Sequence, residues 1–566
     1  MKDTNKIWIK DVAEICAAKN MRHAVISPGS RSAPLVIAFS NHPGITCYTI
    51  VDERAAGFYA LGMAQQTDIP VALICTSGSA LLNYAPAIAE AYYQKIPLLV
   101  FSADRPDELV DQRDGQTIRQ NNIYANYIKK SFKLPVNCYD NDDRWFANRI
   151  TCEAINIATS PHYGPVHVNV PLRDPLYDLT EYDTYQVPKI IDQKIGLSQL
   201  SNQEIDALNN SWAKAKNKLI IAGSNSRCND LTANLNKFKS DSSVVLLTET
   251  TSNLQTGFAI PCIDATLESI PIDDIGEYIP DLLITFGGDI VSKKIKAFLR
   301  NYKPTQHWHI DETGDHIDTF KSLTEVVKLS PKYFFEVIES GENESTFRKK
   351  WKKGYHQGIN LRDDVLNNTP YCDFKVFEKL ISSLPHSCNL HLANSTPVRY
   401  SNLFELKPGF NISVNCNRGT SGIDGTISTA AGAALTNNQL TIVITGDLSF
   451  LYDSNALWVR HLRANLKIVV INNSGGNIFR IIPGPSKLDS LEDHFEAHHD
   501  ISFEHLAKAY QIPYYFCDSS EGLSKELEHF FTPSEKASIL EIKTPSELSA
   551  QVLGDYMNMQ KTNNGQ

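Results

Sequence analysis

The stretch Leu440-Thr441-Ile442-Val443-Ile444-Thr445-Gly446-Asp447, followed by Ile468-Val469-Val470-Ile471-Asn472-Asn473, decides the fold class. Both runs are short, unbroken and rich in β-branched residues, as expected of strands buried on both faces. Two such strands with a long connection between them are parallel neighbours, and residues 450–463 are the expected crossover helix. An acid and an amide then emerge together at the carboxyl edge of a parallel sheet, where open α/β sheets bind ligands. Side-chain oxygens there suit Mg²⁺ carrying a phosphate, although both residue types also favour strand-end turns and helix caps. Gly475-Gly476 weighs toward a ligand: glycine lets backbone approach closely, and the Gly475 carbonyl offers a third oxygen.

The same alternation extends to the rest of the chain. His23-Ala24-Val25-Ile26, Cys47-Tyr48-Thr49-Ile50-Val51, Val71-Ala72-Leu73-Ile74-Cys75, Pro97-Leu98-Leu99-Val100-Phe101 and His167-Val168-Asn169-Val170 are separated by helical periodicity. They predict a first doubly wound domain at residues 1–185. After a linker at 183–197, four more runs, beginning at Leu219, Val244, Leu282 and His307, predict a central α/β domain at 195–340. Residues 340–365 turn polar and charged, as expected of a connecting helix and linker. A third domain at 365–566 holds the opening strands, and its last ten residues are expected to fray. The fold class is therefore α/β, with three doubly wound parallel-sheet domains built on one repeated plan.

Size agrees, since 566 residues exceed one core and call for about three domains. The formal net charge of -10 lacks a basic stripe and so argues against nucleic acid as partner. Eleven cysteines without a C-x-x-C pair fit reduced thiols. No signal-like h-region and no apolar run long enough to span a membrane is present, so a soluble cytoplasmic protein is expected.

Several loops carry chemistry. Arg418-Gly419-Thr420-Ser421-Gly422-Ile423-Asp424-Gly425 leads into a helix of small residues. It reads either as an anion cradle at a helix N-terminus or as a turn with Asp424 as N-cap, and we expect the cradle. Ser27-Pro28-Gly29-Ser30-Arg31-Ser32 and Ala103-Asp104-Arg105-Pro106 each place an arginine just after a strand, and Arg399 and Arg418 do the same in the third domain. That many cations at strand ends suit an anionic ligand, although any one of them also fits a solvated surface. By spacing alone, Asp52-Glu53-Arg54 is a helix cap. His494, His498 and His499 sit in a polar stretch without an HExxH pattern and are given no role. Nucleotide signatures of the G-x-x-x-x-G-K-[ST] and G-x-G-x-x-G types are absent.

Taken in order, these motifs resemble the thiamine-diphosphate enzymes. More narrowly, the chain is similar to the 2-succinyl-5-enolpyruvyl-6-hydroxy-3-cyclohexene-1-carboxylate synthase family of menaquinone biosynthesis. The resemblance spans the whole chain and rests on Ser27-Pro28-Gly29-Ser30-Arg31-Ser32, Asp52-Glu53-Arg54, Ala103-Asp104-Arg105-Pro106, Asn417-Arg418-Gly419, Ser421-Gly422-Ile423-Asp424-Gly425, Gly446-Asp447-Leu448-Ser449 and Asn472-Asn473 with Gly475-Gly476 and Ile478-Phe479. Leu448 stands where most thiamine-diphosphate enzymes carry glycine, which marks the narrower branch; Tyr452, Ser474 and Asn477 fall at positions that vary within it.

The resemblance implies thiamine diphosphate with Mg²⁺ or Mn²⁺ as cofactors, the metal held by Asp447, Asn473 and Gly475. Cofactor contacts fall to Glu53, Gly422, Ile423, Gly446, Asp447, Ser449, Asn473, Gly475 and Ile478. Glu53 is the implied catalytic residue, hydrogen-bonded to N1′ of the aminopyrimidine, and Ile423 the apolar wedge under the cofactor. The implied reaction decarboxylates 2-oxoglutarate and adds the succinyl unit to isochorismate. Ser30, Arg31, Arg105, Gln116, Ser395, Arg399 and Arg418 become candidates for the substrate carboxylates, Ile478 and Phe479 for an apolar wall, and Lys293 or Lys294 for a reach into the same pocket. A homodimer or homotetramer with active sites between subunits is implied as well. The competing expectations are another thiamine-diphosphate 2-keto acid decarboxylase or carboligase, a nucleotide-dependent α/β enzyme, and a non-catalytic homologue.

Overall fold

A computed structural model describes residues 6–177, 186–196, 198–482 and 484–558. The polar start at residues 1–5, the boundary at 185, residues 183–185 and 197 of the linker, and the tail from 559 lie outside them.

Three parallel sheets follow one another along the chain. The first contains β1 (His23–Ile26), β2 (Thr46–Thr49), β3 (Val71–Cys75), β4 (Leu98–Asp104), β5 (Ser131–Lys133) and β6 (Val166–Pro171), in the order β2-β1-β3-β4-β6-β5. The central sheet has β7 (Lys218–Ala222), β8 (Val244–Thr248), β9 (Leu282–Phe286), β10 (Gln306–Ile310) and β11 (Glu325–Val327), in the order β11-β10-β9-β7-β8. The third has β12 (Ser387–Leu392), β13 (Asn411–Asn415), β14 (Thr441–Gly446), β15 (Leu466–Asn472), β16 (Tyr514–Cys517) and β17 (Ser538–Lys543), in the order β13-β12-β14-β15-β17-β16. Strands β3, β4, β14 and β15 are almost wholly buried, which is why they read as continuous apolar runs. β14 and β15 pair in parallel, and Gly446 lies opposite Ile471, so Asp447 and Asn472-Asn473 leave the sheet edge together.

One expectation needs correction. Residues 450–463 do not form a crossover helix. The helix here is Asp447–Tyr452, a 3₁₀ turn at Ser454–Ala456 follows, and the chain loops back to β15. Asp453-Ser454-Asn455 supplies turn-forming side chains at that break. The charged stretch after 340 holds the connecting helix expected there, and that helix is packed on one side. Phe347–Asn368 is one helix that buries Phe347, Trp351, Gly354 and Gly358 on a single stripe against the central domain, while Lys349, Lys352 and Lys353 face water. A Cβ on Gly358 would stand 2.2 Å from the Ala265 carbonyl oxygen, so only glycine permits this approach.

The first and third domains share one hydrophobic core, which includes Phe58, Tyr59 and Val100 from one and Ile427, Val443 and Ile468 from the other. At its centre the helix Glu53–Thr67 crosses the helix Thr426–Thr436. Each follows the second strand of its own sheet. A Cβ on Gly62 would lie 1.9 Å from the Thr429 carbonyl oxygen, and one on Gly432 would lie 2.1 Å from that of Tyr59. The small residues in both helices are therefore what allow backbone to meet backbone.

Candidate active site

Asp447 opens the helix after β14 and is almost fully buried. Its Oδ1 accepts from the Leu448 amide at 2.6 Å, and its Oδ2 from the amides of Asn473 at 3.1 Å and Gly475 at 2.9 Å. The Asn473 side chain donates through Nδ2 to Asp373 Oδ2 at 3.2 Å, which turns its carbonyl oxygen away from that carboxylate. Asp373 is buried at the start of the helix Asp373–Ser382, and burial pushes its carboxyl up to about 6. The Gly475 carbonyl accepts from the Asn477 amide at 3.0 Å, and a Cβ there would stand 2.7 Å from the Glu496 carbonyl oxygen.

One carboxylate, one amide oxygen and one carbonyl form an all-oxygen set, suited to a hard cation such as Mg²⁺. Nearby polar atoms lack partners: both amide atoms of Asn477 and Nε2 of His499 are buried without a hydrogen bond. His499 Nε2 stands 3.6 Å from Asp447 Oδ2. Polar groups without hydrogen bonds around a buried acid fit a polar ligand, so the residues fit a metal-bound diphosphate. His499 is the residue that sequence reasoning missed. His494 and His498 are exposed as expected, but the chain reverses at Ala497 with φ of +50° and turns His499 inward.

The glycine-rich loop is not the expected cradle. Ser428 donates to Asp453 through its amide at 2.7 Å and its hydroxyl at 2.7 Å, so a buried carboxylate already occupies the N-terminus of Thr426–Thr436. Burial pushes the Asp453 carboxyl up to about 7. Asp424 is not the N-cap either. That position is Gly425, with φ of +74°, where a Cβ would meet the Phe58 ring at 2.2 Å. Packing on the first domain is what requires the glycine. The loop still presents Ile423, which is 41% exposed, and Gly422, whose carbonyl accepts from Asn394 Nδ2 at 2.7 Å. Ser449 donates its hydroxyl to the Ile423 carbonyl at 2.6 Å, so it holds the loop rather than pointing its proton at a ligand. Gly446 ends β14 with open space where a Cβ would be.

At the other end, Asp52 is the N-cap, accepting from the amides of Arg54 at 2.8 Å and Ala55 at 3.2 Å. It also accepts from Asn455 Nδ2 at 2.5 Å, and Arg54 stacks 4.3 Å from the centre of the Tyr452 ring. Capping is thus the work of Asp52, which leaves Glu53 free of it. Burial raises the Glu53 pKa, with Asp52 adding to the shift. Among the described residues, Glu53 makes no hydrogen bond or ion pair with the Asp447 group of its own chain.

The arginines fall into two sets. Arg418 pairs with Asp289 Oδ2 through Nε at 2.9 Å and also through Nη2, and its Nη1 donates to Asn394 Oδ1 at 3.1 Å. Burial lowers the Arg399 pKa, as does Arg418, while Asp264 and Glu249 oppose the shift. Lys293 belongs with this pair: burial lowers its pKa, followed by Arg399 and other nearby cations. Lys294 instead pairs with Glu268 and donates to the Met557 carbonyl at 2.9 Å. Ser395, at φ of +72°, opens the short helix that carries Arg399. A non-glycine residue held there stores about 1–3 kcal/mol of strain, a feature that clusters at functional sites.

The second set lies in the first domain. Arg31 is buried and donates to the Leu172 carbonyl at 3.0 Å and to Asp174 at 3.1 Å, with Nε left unpartnered. Arg105 donates to the Gly115 carbonyl at 2.9 Å and pairs with Asp114 at 3.1 Å. Gln116, at φ of +63°, rides over Gly78, and Ser30 is exposed. Ile478 and Phe479 start the helix Ile478–Ile481 after the Asn473 loop, with Phe479 packed on Phe495 at 5.7 Å between ring centres.

Comparison with known proteins gives a consistent picture. Residues 9–124 match a family described as thiamine pyrophosphate enzyme, N-terminal TPP binding domain. Residues 187–390 match the middle domain of thiamine pyrophosphate, and 402–542 the thiamine pyrophosphate enzyme, C-terminal TPP binding domain. The chain is 43% identical over 550 residues to 2-succinyl-5-enolpyruvyl-6-hydroxy-3-cyclohexene-1-carboxylate synthase of Flavobacterium johnsoniae, covering 97% of this chain and 98% of the relative. The protein of that name from Flavobacterium psychrophilum is 45% identical over 556 residues, with the same coverage. In fold, the chain is similar to benzoylformate decarboxylase from Polynucleobacter necessarius, with a TM-score of 0.71 and 16% identity over 95% of this chain and 98% of that one.

Proposed function

The chain belongs to the 2-succinyl-5-enolpyruvyl-6-hydroxy-3-cyclohexene-1-carboxylate synthase family of thiamine-diphosphate enzymes, and from that premise we propose how its residues divide the work. The enzyme decarboxylates 2-oxoglutarate and joins the succinyl unit to isochorismate in menaquinone biosynthesis. Thiamine diphosphate supplies, when bound, the electron sink that both steps need. Mg²⁺, with Mn²⁺ as its substitute, would be held by Asp447, the side-chain oxygen of Asn473 and the carbonyl of Gly475. Asp373 fixes the Asn473 amide, and His499 Nε2 and the Asn477 amide, which make no hydrogen bond, would be available to the diphosphate.

Glu53 holds and moves the proton at N1′ of the aminopyrimidine, a task suited to a carboxyl whose pKa is raised by burial. It reaches the Asp447 group only across a subunit contact, in a homodimer or homotetramer. Supporting this, Val51, Leu82, Ile423, Tyr452 and Trp458 expose large apolar side chains on the elements that border the site. Arg399, Arg418 and Lys293, with Ser395, recognise carboxylates from the third and central domains. Arg31, Arg105, Ser30 and Gln116 do so from the first, and Ile478 and Phe479 form the apolar wall.

The domains run over 1–185, 195–340 and 365–566, and the protein acts in the cytoplasm; among the described residues no helix is long and apolar enough to cross a membrane. The observation that carries the proposal is the buried oxygen set of Asp447, Asn473 and Gly475 with orphaned polar atoms around it. The test is CO₂ release from 2-oxoglutarate with and without isochorismate, with the product identified by mass. Coupling that requires both substrates is expected. Indifference to isochorismate, or preference for pyruvate, would assign the chain to another thiamine-diphosphate decarboxylase or carboligase.

A further inference from the structure

The loop that carries Arg418 is gripped from another domain. Glu90 lies in the helix Ala85–Gln94 of the first domain and is 0% exposed. Its Oε1 accepts from the Gly419 amide at 2.7 Å, and its Oε2 from the Thr420 amide at 2.7 Å and the Thr420 hydroxyl at 2.5 Å. Gln94 on the same helix donates to Glu90 Oε1 and, at 3.2 Å, to the Cys416 carbonyl two residues before Arg418. Gly419 is required by this contact, since a Cβ there would stand 2.9 Å from the Glu90 carbonyl oxygen and 3.1 Å from Oε1. Among the described residues, Glu90 pairs with no cation. A buried carboxylate without a counter-ion persists only where converging donors replace water. Apart from Gln94, those donors all come from the segment next to Arg418.

We propose that Glu90 is a positioning residue for substrate recognition, a clamp through which the first domain sets the Arg418 loop while Asp289 of the central domain sets the Arg418 guanidinium. This rests on the assignment of Arg418 to a substrate carboxylate. The two amides fix the backbone on one side of Arg418, and the Asn394 and Asp289 contacts fix the head group. The guanidinium is thereby presented without rotamer search, and the hydrogen bonds of Glu90 to the loop end at Thr420, before the Gly422 and Ile423 assigned to the cofactor.

The test compares Glu90→Gln, Arg418→Lys and the double variant in the full-length enzyme with cofactor and Mg²⁺, reading KM and kcat for each substrate and cofactor affinity by calorimetry. Glu90→Gln replaces one accepting oxygen with an amide nitrogen that would face a loop N–H. The KM of the substrate held by Arg418 should therefore rise about tenfold, with kcat within about twofold and cofactor affinity unchanged. The double variant should add little to Arg418→Lys alone. If Arg418→Lys raises KM but Glu90→Gln does not, or if the two effects multiply, the clamp is overturned. An unchanged KM in Arg418→Lys overturns the assignment of Arg418 and the clamp with it. Should Glu90→Gln fail to fold, Thr420→Val removes one exposed donor and should raise the same KM about threefold; no change there counts against the clamp.

Discussion

The first and third domains have the same skeleton and present different side chains at the same sheet edge. Both sheets place the strands in the order second, first, third, fourth, sixth, fifth, and both send a small-residue helix out after the second strand. Yet the third strand ends in Thr76-Ser77-Gly78 in one domain and Gly446-Asp447 in the other, and the fourth in Asp104-Arg105 against Asn472-Asn473. The second leads to Glu53 in one and to the Arg418 loop in the other. Burial of apolar strands builds the plan twice, and the loops at one edge set which side chains each copy presents: Glu53, Arg31 and Arg105 in one, Asp447, Asn473 and Arg418 in the other.

That contrast can be broken most sharply at Glu53. Glu53→Gln is expected to lower turnover about a thousandfold while calorimetry finds metal and diphosphate binding intact; near-normal turnover would remove Glu53 from its role. The reciprocal change, Asp447→Ala, should weaken Mg²⁺-dependent cofactor retention more than about 100-fold, measured by titration, because the proposed ligand and three amide contacts go together. Unchanged retention would place the metal elsewhere.

Where the two domains meet, they should behave alike. Gly62→Ala and Gly432→Ala each drive a methyl into the other helix's backbone and should each cost about 3 kcal/mol in chemical denaturation. A tolerated alanine at either position would mean that the crossing is looser than it looks.

The smallest effect concerns Asp453. Its folded pKa of about 7 lies above the usual carboxylate range, so the folded chain keeps a proton that the unfolded chain releases. Its contribution to stability is full below the unfolded pKa and is lost as pH rises through about 7. Asp453→Asn should therefore show a smaller fall in Tm between pH 5 and pH 8, by a few degrees on the order expected for about 1 kcal/mol. Parallel pH profiles in the two proteins would show that Asp453 does not titrate in this range.

Strands β3, β4, β14 and β15 were legible because burial on both faces leaves only apolar residues to choose from. The edge strands β5, β11 and β16 were not, since each has partly exposed positions and no continuous apolar run. That Asp447 and Asn473 leave the sheet edge together could be read from the two strand runs, while a metal role for them rests on the resemblance. Asp453 and Glu90 could not: their partners lie at sequence separations of 25 and 329, and nothing local marks a buried carboxylate whose donors come from elsewhere in the fold. His499 was hidden for a related reason, because one backbone reversal, invisible to composition, separates it from two solvated neighbours.

The crossing of Glu53–Thr67 over Thr426–Thr436 also has a mechanical consequence. Side chains ordinarily form a compliant layer between helices, able to absorb sliding by changing rotamer. Here that layer is missing at Gly62 and Gly432, so the two domains are geared together as one stiff body. The freedom needed to admit two bulky dicarboxylates and let a larger product go must then reside in the loops at the sheet edges, and the grip on the Arg418 loop becomes a setting on how far that freedom extends.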